Sequence, residues 1–145
     1  GISLAAVQGG LSRPILRVLG ERGAVVYGHI ADIAVFIIIG FVWSGTALLI
    51  LTPLAALPAV ITPALQGIMS KAVGDDAQGE LQGALTSVAA LAMVISPLVM
   101  TASFSVAIGP ASPAYLPGAP CFVSAVLMAA ALAVFLRAGR RFAIT

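Results

Sequence analysis

Four long apolar runs dominate the sequence, and each is long enough to cross a lipid bilayer as an α-helix. The runs cover about residues 24–43, 46–69, 84–108 and 119–136. A transmembrane helix needs roughly 20 mostly apolar residues, because the hydrocarbon core is about 30 Å thick. Strands of a transmembrane barrel would instead alternate in polarity over about 10 residues. The sequence therefore predicts an all-α membrane protein with four full spans, preceded by a partial helix over about residues 1–12.

The composition excludes other broad classes of protein. Of the 145 residues, 61% are hydrophobic and only 8% are charged, whereas a soluble domain carries about 25% charged residues. The net charge of +2 gives no basic patch for nucleic acid to bind. The chain has one histidine, His29, and one cysteine, Cys121, far apart in the sequence, which is no metal-ligand spacing. We found no nucleophile–base pair either, so the sequence predicts a protein with no metal, no cofactor and no enzymatic activity.

The positive charges indicate how the chain crosses the membrane. All seven Lys and Arg residues lie in three segments, the loops 13–23 and 70–83 and the tail 137–145. The breaks at 44–45 and 109–118 carry none. Positively charged loops stay in the cytoplasm, and four alternating spans place all three charged segments on one side. The sequence therefore predicts one multi-pass region of the plasma (inner) membrane, with a cytoplasmic C-terminus.

One carboxylate lies inside a predicted span. Asp32 is eight residues past Ala24, roughly 12 Å along a helix that rises about 1.5 Å per residue. An ionised Asp at such depth costs at least about 2.5 kcal/mol, so it is normally paired, protonated or beside a water-filled path. His29 is three residues earlier, on the same helix face. The pair is either a proton-binding site of a transporter or a structural hydrogen bond that holds two helices together.

Other polar residues and prolines within the apolar runs allow two interpretations. Gln8 and Gln66 could line a substrate path, or they could form interhelical hydrogen bonds worth about 0.6 kcal/mol. Pro58 and Pro63 in the second span, and Pro97 in the third, remove backbone hydrogen bonds and predict kinks. Kinked helices occur both in proteins that rock between two states and in static bundles.

The segments between spans carry local signals as well. Asp75 and Gln78 have the spacing of a capping box, which predicts the start of the third full span. Gly79 and Gly83, four residues apart, would let that helix approach a neighbour closely. In the first charged loop, a cluster containing Glu21 either latches helix ends together or merely enforces orientation.

Five motifs occur in a fixed order along the chain: Leu19–Arg22, Gly28–Asp32, Pro63–Ser70, Gln78–Ser87 and Ser96–Thr101. In content and spacing they resemble the tetracycline/proton antiporter branch of the major facilitator superfamily. The Gln-Gly-Glu-Leu-Gln-Gly run at 78–83 is the most specific of them. The resemblance extends over about residues 8–101, and the last span fits by position alone.

The resemblance implies a fold and a function. The fold would be part of the C-terminal six-helix bundle of a twelve-helix transporter, namely the end of helix eight and helices nine to twelve. The function would be that of a fragment of a proton-coupled, tetracycline-like drug efflux antiporter. Its partners would be the lipid bilayer, protons, a drug-like molecule and the missing N-terminal helices, without which it could not transport. The alternative is a non-transporting helical scaffold or a subunit of a larger membrane assembly.

The resemblance also implies roles for individual residues. Asp32 falls on the family's proton-coupling carboxylate, and Gln8 falls on a glutamine of the substrate and proton path. The cytoplasmic gating motif falls on Arg17, Gly20 and Arg22. Two positions depart from the family pattern: Leu4 replaces the histidine usual in tetracycline exporters, and Arg13 replaces a glycine of the gating motif. His29 could take the place of the missing histidine.

Overall fold

A computed structural model describes residues 12–109, 112 and 115–142, and long helices dominate it. In chain order the elements are α1 (Ser12–Phe41), α2 (Gly45–Leu51), a 3₁₀ segment (Leu54–Val60), α3 (Ile61–Ala72), a 3₁₀ turn (Asp75–Ala77), α4 (Gln78–Ile108) and α5 (Ala119–Phe142). Four helical stretches are long and apolar enough to cross a membrane: Pro14–Phe41, Gly45–Ala72, Asp75–Ile108 and Ala119–Gly139. Over the described ranges the predicted all-α membrane fold is confirmed. The predicted partial helix over residues 1–12 lies outside these ranges except for its last residue.

The helices extend beyond the predicted spans. α1 begins at Ser12, so most of the predicted loop 13–23 is helical, and only Val73, Gly74 and the 3₁₀ turn separate α3 from α4. The reason is that hydropathy marks the part of a helix inside the bilayer, whereas backbone hydrogen bonding continues into water. The side of the membrane on which each end lies stays a prediction.

A single glycine interrupts α1 near its N-terminal end. Gly20 has φ 67° and ψ 173°, a backbone conformation that is essentially restricted to glycine. The helix resumes at once with Glu21. Gly20 therefore divides α1 into a short segment, residues 12–19, and a long segment, residues 21–41, which runs through the predicted span.

The second span is a broken helix. Between α2 and α3 lies the 3₁₀ segment, which is seven residues long and contains Pro58; most 3₁₀ runs do not exceed three or four residues. At Pro58, where the sequence predicts a kink, the second span has 3₁₀ and not α-helical geometry. Pro63 lies in the first turn of α3, where a missing N–H costs little. α4 continues as an α-helix through Pro97, without a break comparable to that at Pro58.

The described core lies where α1 meets the second span and α5. Ala24 and Val25 of α1 form one buried cluster with Val60 and Ala64, and Phe135 of α5 packs against it. A Cβ atom on Gly28 would contact Val60 and Ile61, and one on Gly40 would lie 2.8 Å from the ring of Phe122. Glycine at these two positions therefore allows α1 to approach both neighbours closely.

α4 differs from the other spans because none of its residues is buried. A Cβ atom on Gly79 or Gly83 would meet nothing within 4 Å, so the close approach predicted for these glycines does not occur within the described residues. The predicted capping box is wrong. The Gln78 amide instead donates to the backbone carbonyl of Ser70 at 2.8 Å, because the last carbonyls of α3 lack partners within their own helix.

Candidate functional site

Asp32 lies on the packed face of α1. It is seven residues, nearly two helical turns, past the fully buried Val25, and three residues before the buried Val35. Residues at these spacings share one helix face. The opposite face carries exposed side chains such as Ile30 and Ile37. Asp32 is therefore half-buried within the bundle and does not point away from the other described helices.

The neighbours of Asp32 follow from how α1 packs. α1 runs antiparallel to the second span, and the Gly28 turn meets Val60 and Ile61. The next turn of α1, which carries Asp32, therefore runs along the 3₁₀ segment Leu54–Val60. Neither this segment nor the stretch 125–135 of α5 contains a titratable side chain. Asp32 thus lies between apolar elements.

His29 is buried beside Asp32 but bonds elsewhere. Only 5% of His29 is exposed, and its Nδ1–H donates to the backbone carbonyl of Val25 at 2.9 Å. Within the described part of the chain, no hydrogen bond or ion pair joins His29 to Asp32. The bond to Val25 fixes the imidazole ring and directs Nε2 away from the carbonyl.

The charged end of α1 is tied to α3 by one ion pair. The Lys71 ammonium donates to Glu21 Oε1 at 2.7 Å. Glu21 is the less exposed partner, with 31% of its side chain accessible against 72% for Lys71. A Cβ atom on Gly67 would lie only 2.7 Å from the same Glu21 oxygen. Glycine at position 67, one turn before Lys71, therefore leaves room for the carboxylate to lie across α3.

The predicted gating residues are only partly brought together. Arg17 and Gly20 line a cavity of about 370 Å³ together with Glu21 and Lys71. Arg22 is exposed and does not line this cavity. Of the two glutamines assigned to a substrate path, Gln66 is exposed on α3, and Gln8 lies outside the described residues.

The sequence alone does not single out Lys71 as the partner of Glu21 at the charged end of α1. The positive-charge pattern places Glu21 and Lys71 at the same membrane surface. Their separation of 50 residues gives no periodicity that could reveal the contact. The available signal is that Lys71 is the only lysine in the chain and lies four residues past Gly67.

Comparison with known proteins gives close matches in sequence. The chain is 38% identical over 105 residues to the class E tetracycline resistance protein of Escherichia coli and covers 26% of that protein. It is 35% identical over 116 residues to the class G protein of Vibrio anguillarum, and covers 30% of it. It is 32% identical over 105 residues to the class C protein of Escherichia coli. The matched parts make up 72–75% of the present chain.

Two other comparisons give nothing: no protein-family profile matches the chain, and no solved structure matches it. The sequence relatives are much longer than the chain, which spans 26–30% of their length. The matches agree with the motifs in the sequence and with the four apolar helices. The chain therefore belongs to the tetracycline resistance proteins, the major facilitator branch that its sequence resembles.

Proposed function

We propose that the chain is part of a proton-coupled drug efflux antiporter and that Asp32 binds and releases the coupled proton. The observation that carries this proposal is the position of Asp32, a lone carboxylate on the packed face of a membrane span. A charge at that depth is expensive, and ionisable groups kept inside spans mark ion pathways and proton relays. The relatives named as tetracycline resistance proteins supply the substrate class, a drug of the tetracycline type.

The surroundings of Asp32 support this role. A carboxylate held by several fixed donors would be a structural element, because its hydrogen bonds would oppose protonation. Asp32 has no such donor among the described residues, and only His29 offers a second titratable group nearby. Its other neighbour, the 3₁₀ segment with Pro58, is the place where the second span departs from α-helical geometry. Such departures often mark functional hinges.

The test is Asp32→Asn in the full-length protein, assayed in inverted membrane vesicles. Tetracycline uptake driven by a proton gradient should be lost, because the amide cannot take up the proton. Exchange of labelled for unlabelled tetracycline without a gradient should be retained, because substrate binding does not need the carboxylate. Glu80→Gln, which neutralises an exposed carboxylate of α4, is the matched control and should leave both activities unchanged.

The alternative function, a helical scaffold or a subunit of a larger assembly, predicts a different outcome. In that case Asp32→Asn would insert normally and leave gradient-driven transport intact, and the proposal would be wrong. A protein that fails to reach the membrane is recognised by its absence from immunoblots of the vesicles. Asp32→Glu, which keeps the titratable group, then serves as the second variant and should retain coupled transport.

A further expectation concerns the 145 residues by themselves. Alternating access in secondary transporters requires two repeats or bundles that move around a site at their interface. The chain spans at most 30% of the relatives considered above, which leaves one side of such an interface absent. Vesicles containing only these 145 residues should therefore show no proton-driven tetracycline uptake, and uptake by them would contradict this expectation.

A further inference from the structure

We propose that Glu21 and Lys71 form a positioning pair that sets the register of α1 against α3 and so holds the Asp32 turn against the 3₁₀ segment. This inference rests on the proposed role of Asp32 in proton coupling. Neither Glu21 nor Lys71 contacts the reacting proton. Both act through the placement of α1.

The spacing along α1 connects the ion pair with Asp32. Glu21 and Asp32 are 11 residues apart in the part of α1 that follows Gly20. Eleven residues are close to three helical turns, about 16 Å, so both side chains project from the same face. One end of this face meets α3 at Lys71, and the other meets the 3₁₀ segment. A shift at the Glu21 end is therefore transmitted along a continuous helix to Asp32.

The contacts between the two ends favour one register, and the ion pair adds a directional contact to them. Between Glu21 and Asp32, α1 packs through Ala24, Val25 and Gly28 on Val60, Ile61 and Ala64. These contacts are apolar, and hydrophobic attraction is non-directional. A slide of α1 by one turn, about 5.4 Å, would replace Gly28 by a residue with a Cβ atom, for which Val60 and Ile61 leave little room. The same slide would separate the Glu21 carboxylate from the Lys71 ammonium, so the ion pair and the close packing at Gly28 favour the same register.

Two glycines, Gly67 and Gly20, lie beside the ion pair and accommodate it. Gly67 leaves space for the Glu21 carboxylate, which a side chain there would displace. Gly20, with its positive φ, interrupts the helix immediately before Glu21. The short segment 12–19 therefore need not follow the direction of the rest of α1. The short 2.7 Å contact is typical of a charge-assisted hydrogen bond.

Few titratable groups near Asp32 other than Asp32 itself could contribute to the pH dependence of transport. On α1 itself the neighbour is His29. The facing segments, Leu54–Val60 and the stretch 125–135 of α5, contain no titratable side chain, and Lys71 is the only charged residue of α3. A change in the pH profile of transport on altering Lys71 therefore reports a change around Asp32 or His29.

The experiment uses the full-length protein in inverted membrane vesicles, in a Cys121→Ser background. Ala24→Cys and Ala64→Cys, both within the buried cluster, provide a disulfide probe of the α1–α3 register. Lys71→Gln and Glu21→Gln should each slow disulfide formation about 1.5- to 5-fold, the range expected for a partly exposed ion pair. In the protein without the two added cysteines, both variants should also shift the pH midpoint of proton-driven tetracycline transport. Lys71→Arg, which keeps the charge and the reach, should restore both values, and Glu80→Gln is the control.

The outcomes separate this inference from the proposed function. Unchanged cross-linking in both Gln variants overturns the inference, as does a Lys71→Arg variant that behaves like Lys71→Gln. Cross-linking does not depend on transport, so it tests the register even if Asp32→Asn leaves coupling intact and the proposed function is wrong. If cross-linking slows while the pH profile stays fixed, the pair sets the register but does not position Asp32, which also overturns the inference.

Discussion

α1 and α4 are both long apolar helices, yet they differ in how far they pack against the other described helices. α1 carries a row of buried residues and contacts α5, the 3₁₀ segment and α3. α4 has no buried residue, and side chains near its middle, such as Met93, are 76% exposed. Hydropathy measures only preference for an apolar medium, and lipid satisfies it as well as protein does. The difference teaches that hydropathy and small residues do not by themselves decide which helices pack, since Gly79 and Gly83 of α4 meet no neighbour within 4 Å.

The largest effect that this comparison predicts is at Gly118. A Cβ atom there would collide with the backbone of Gly40, which cannot move aside as a flexible side chain can. Gly118→Ala should therefore lower the free energy of unfolding by about 3 kcal/mol or more, at the upper end of overpacking costs. The measurement is thermal unfolding in detergent followed by circular dichroism.

Gly83→Ala on α4 is the matched control for that variant. Nothing lies within 4 Å of a Cβ at this position, and alanine favours helix by up to about 1 kcal/mol relative to glycine. The control should unfold at an unchanged or slightly higher temperature. Equal losses in the two variants would show that α4 is packed as tightly as α1, contrary to the comparison.

A smaller effect is expected at Gly28. A methyl group there would meet the side chains of Val60 and Ile61, which can rotate to make room. Gly28→Ala should cost about 1–3 kcal/mol of unfolding free energy, less than Gly118→Ala. Gly79→Ala on α4, where the space is open, should cost nothing measurable by the same thermal assay. A loss at position 28 above that at position 118 would reverse the proposed order.

The smallest effect is expected at Gln78, where the packed helix α3 joins the exposed helix α4. The Gln78 side chain donates to the Ser70 carbonyl and accepts from the Ser70 hydroxyl. Gln78→Ala should cost about 0.5–1.5 kcal/mol, the usual net value of a hydrogen bond. Limited proteolysis between α3 and α4 should become faster. Gln82→Ala, a change at an exposed position on α4, should leave the cleavage rate unchanged.

The sequence was sufficient for the spans and for the carboxylate inside one of them. Apolar runs are long-range signals that need no knowledge of neighbours, and Asp32 stands out because charge in such a run is costly. The break at Pro58 was also predictable, since proline lacks the N–H that a helix requires. Whether Asp32 and His29 take part in proton coupling is a separate matter and stays a prediction.

The sequence could not predict contacts between residues that are far apart along the chain. The contact between Glu21 and Lys71 joins positions 50 residues apart, and no local pattern encodes it. The spacing of Asp75 and Gln78 suggested a cap on α4, but the free carbonyls of α3 compete for the Gln78 amide. The family resemblance assigned Gly20 to a gating motif, but only the backbone angles identify it as the interruption of α1.

The 3₁₀ segment Leu54–Val60 affects both the length of the second span and the rotation of α3 relative to α2. A 3₁₀ helix advances about 2.0 Å per residue and about 120° in angle, against about 1.5 Å and 100° in an α-helix. Rewinding its seven residues would shorten the span by about 3.5 Å and rotate α3 by roughly 140° relative to α2. A change in the winding of this segment would therefore change which side chains of α3 face α1.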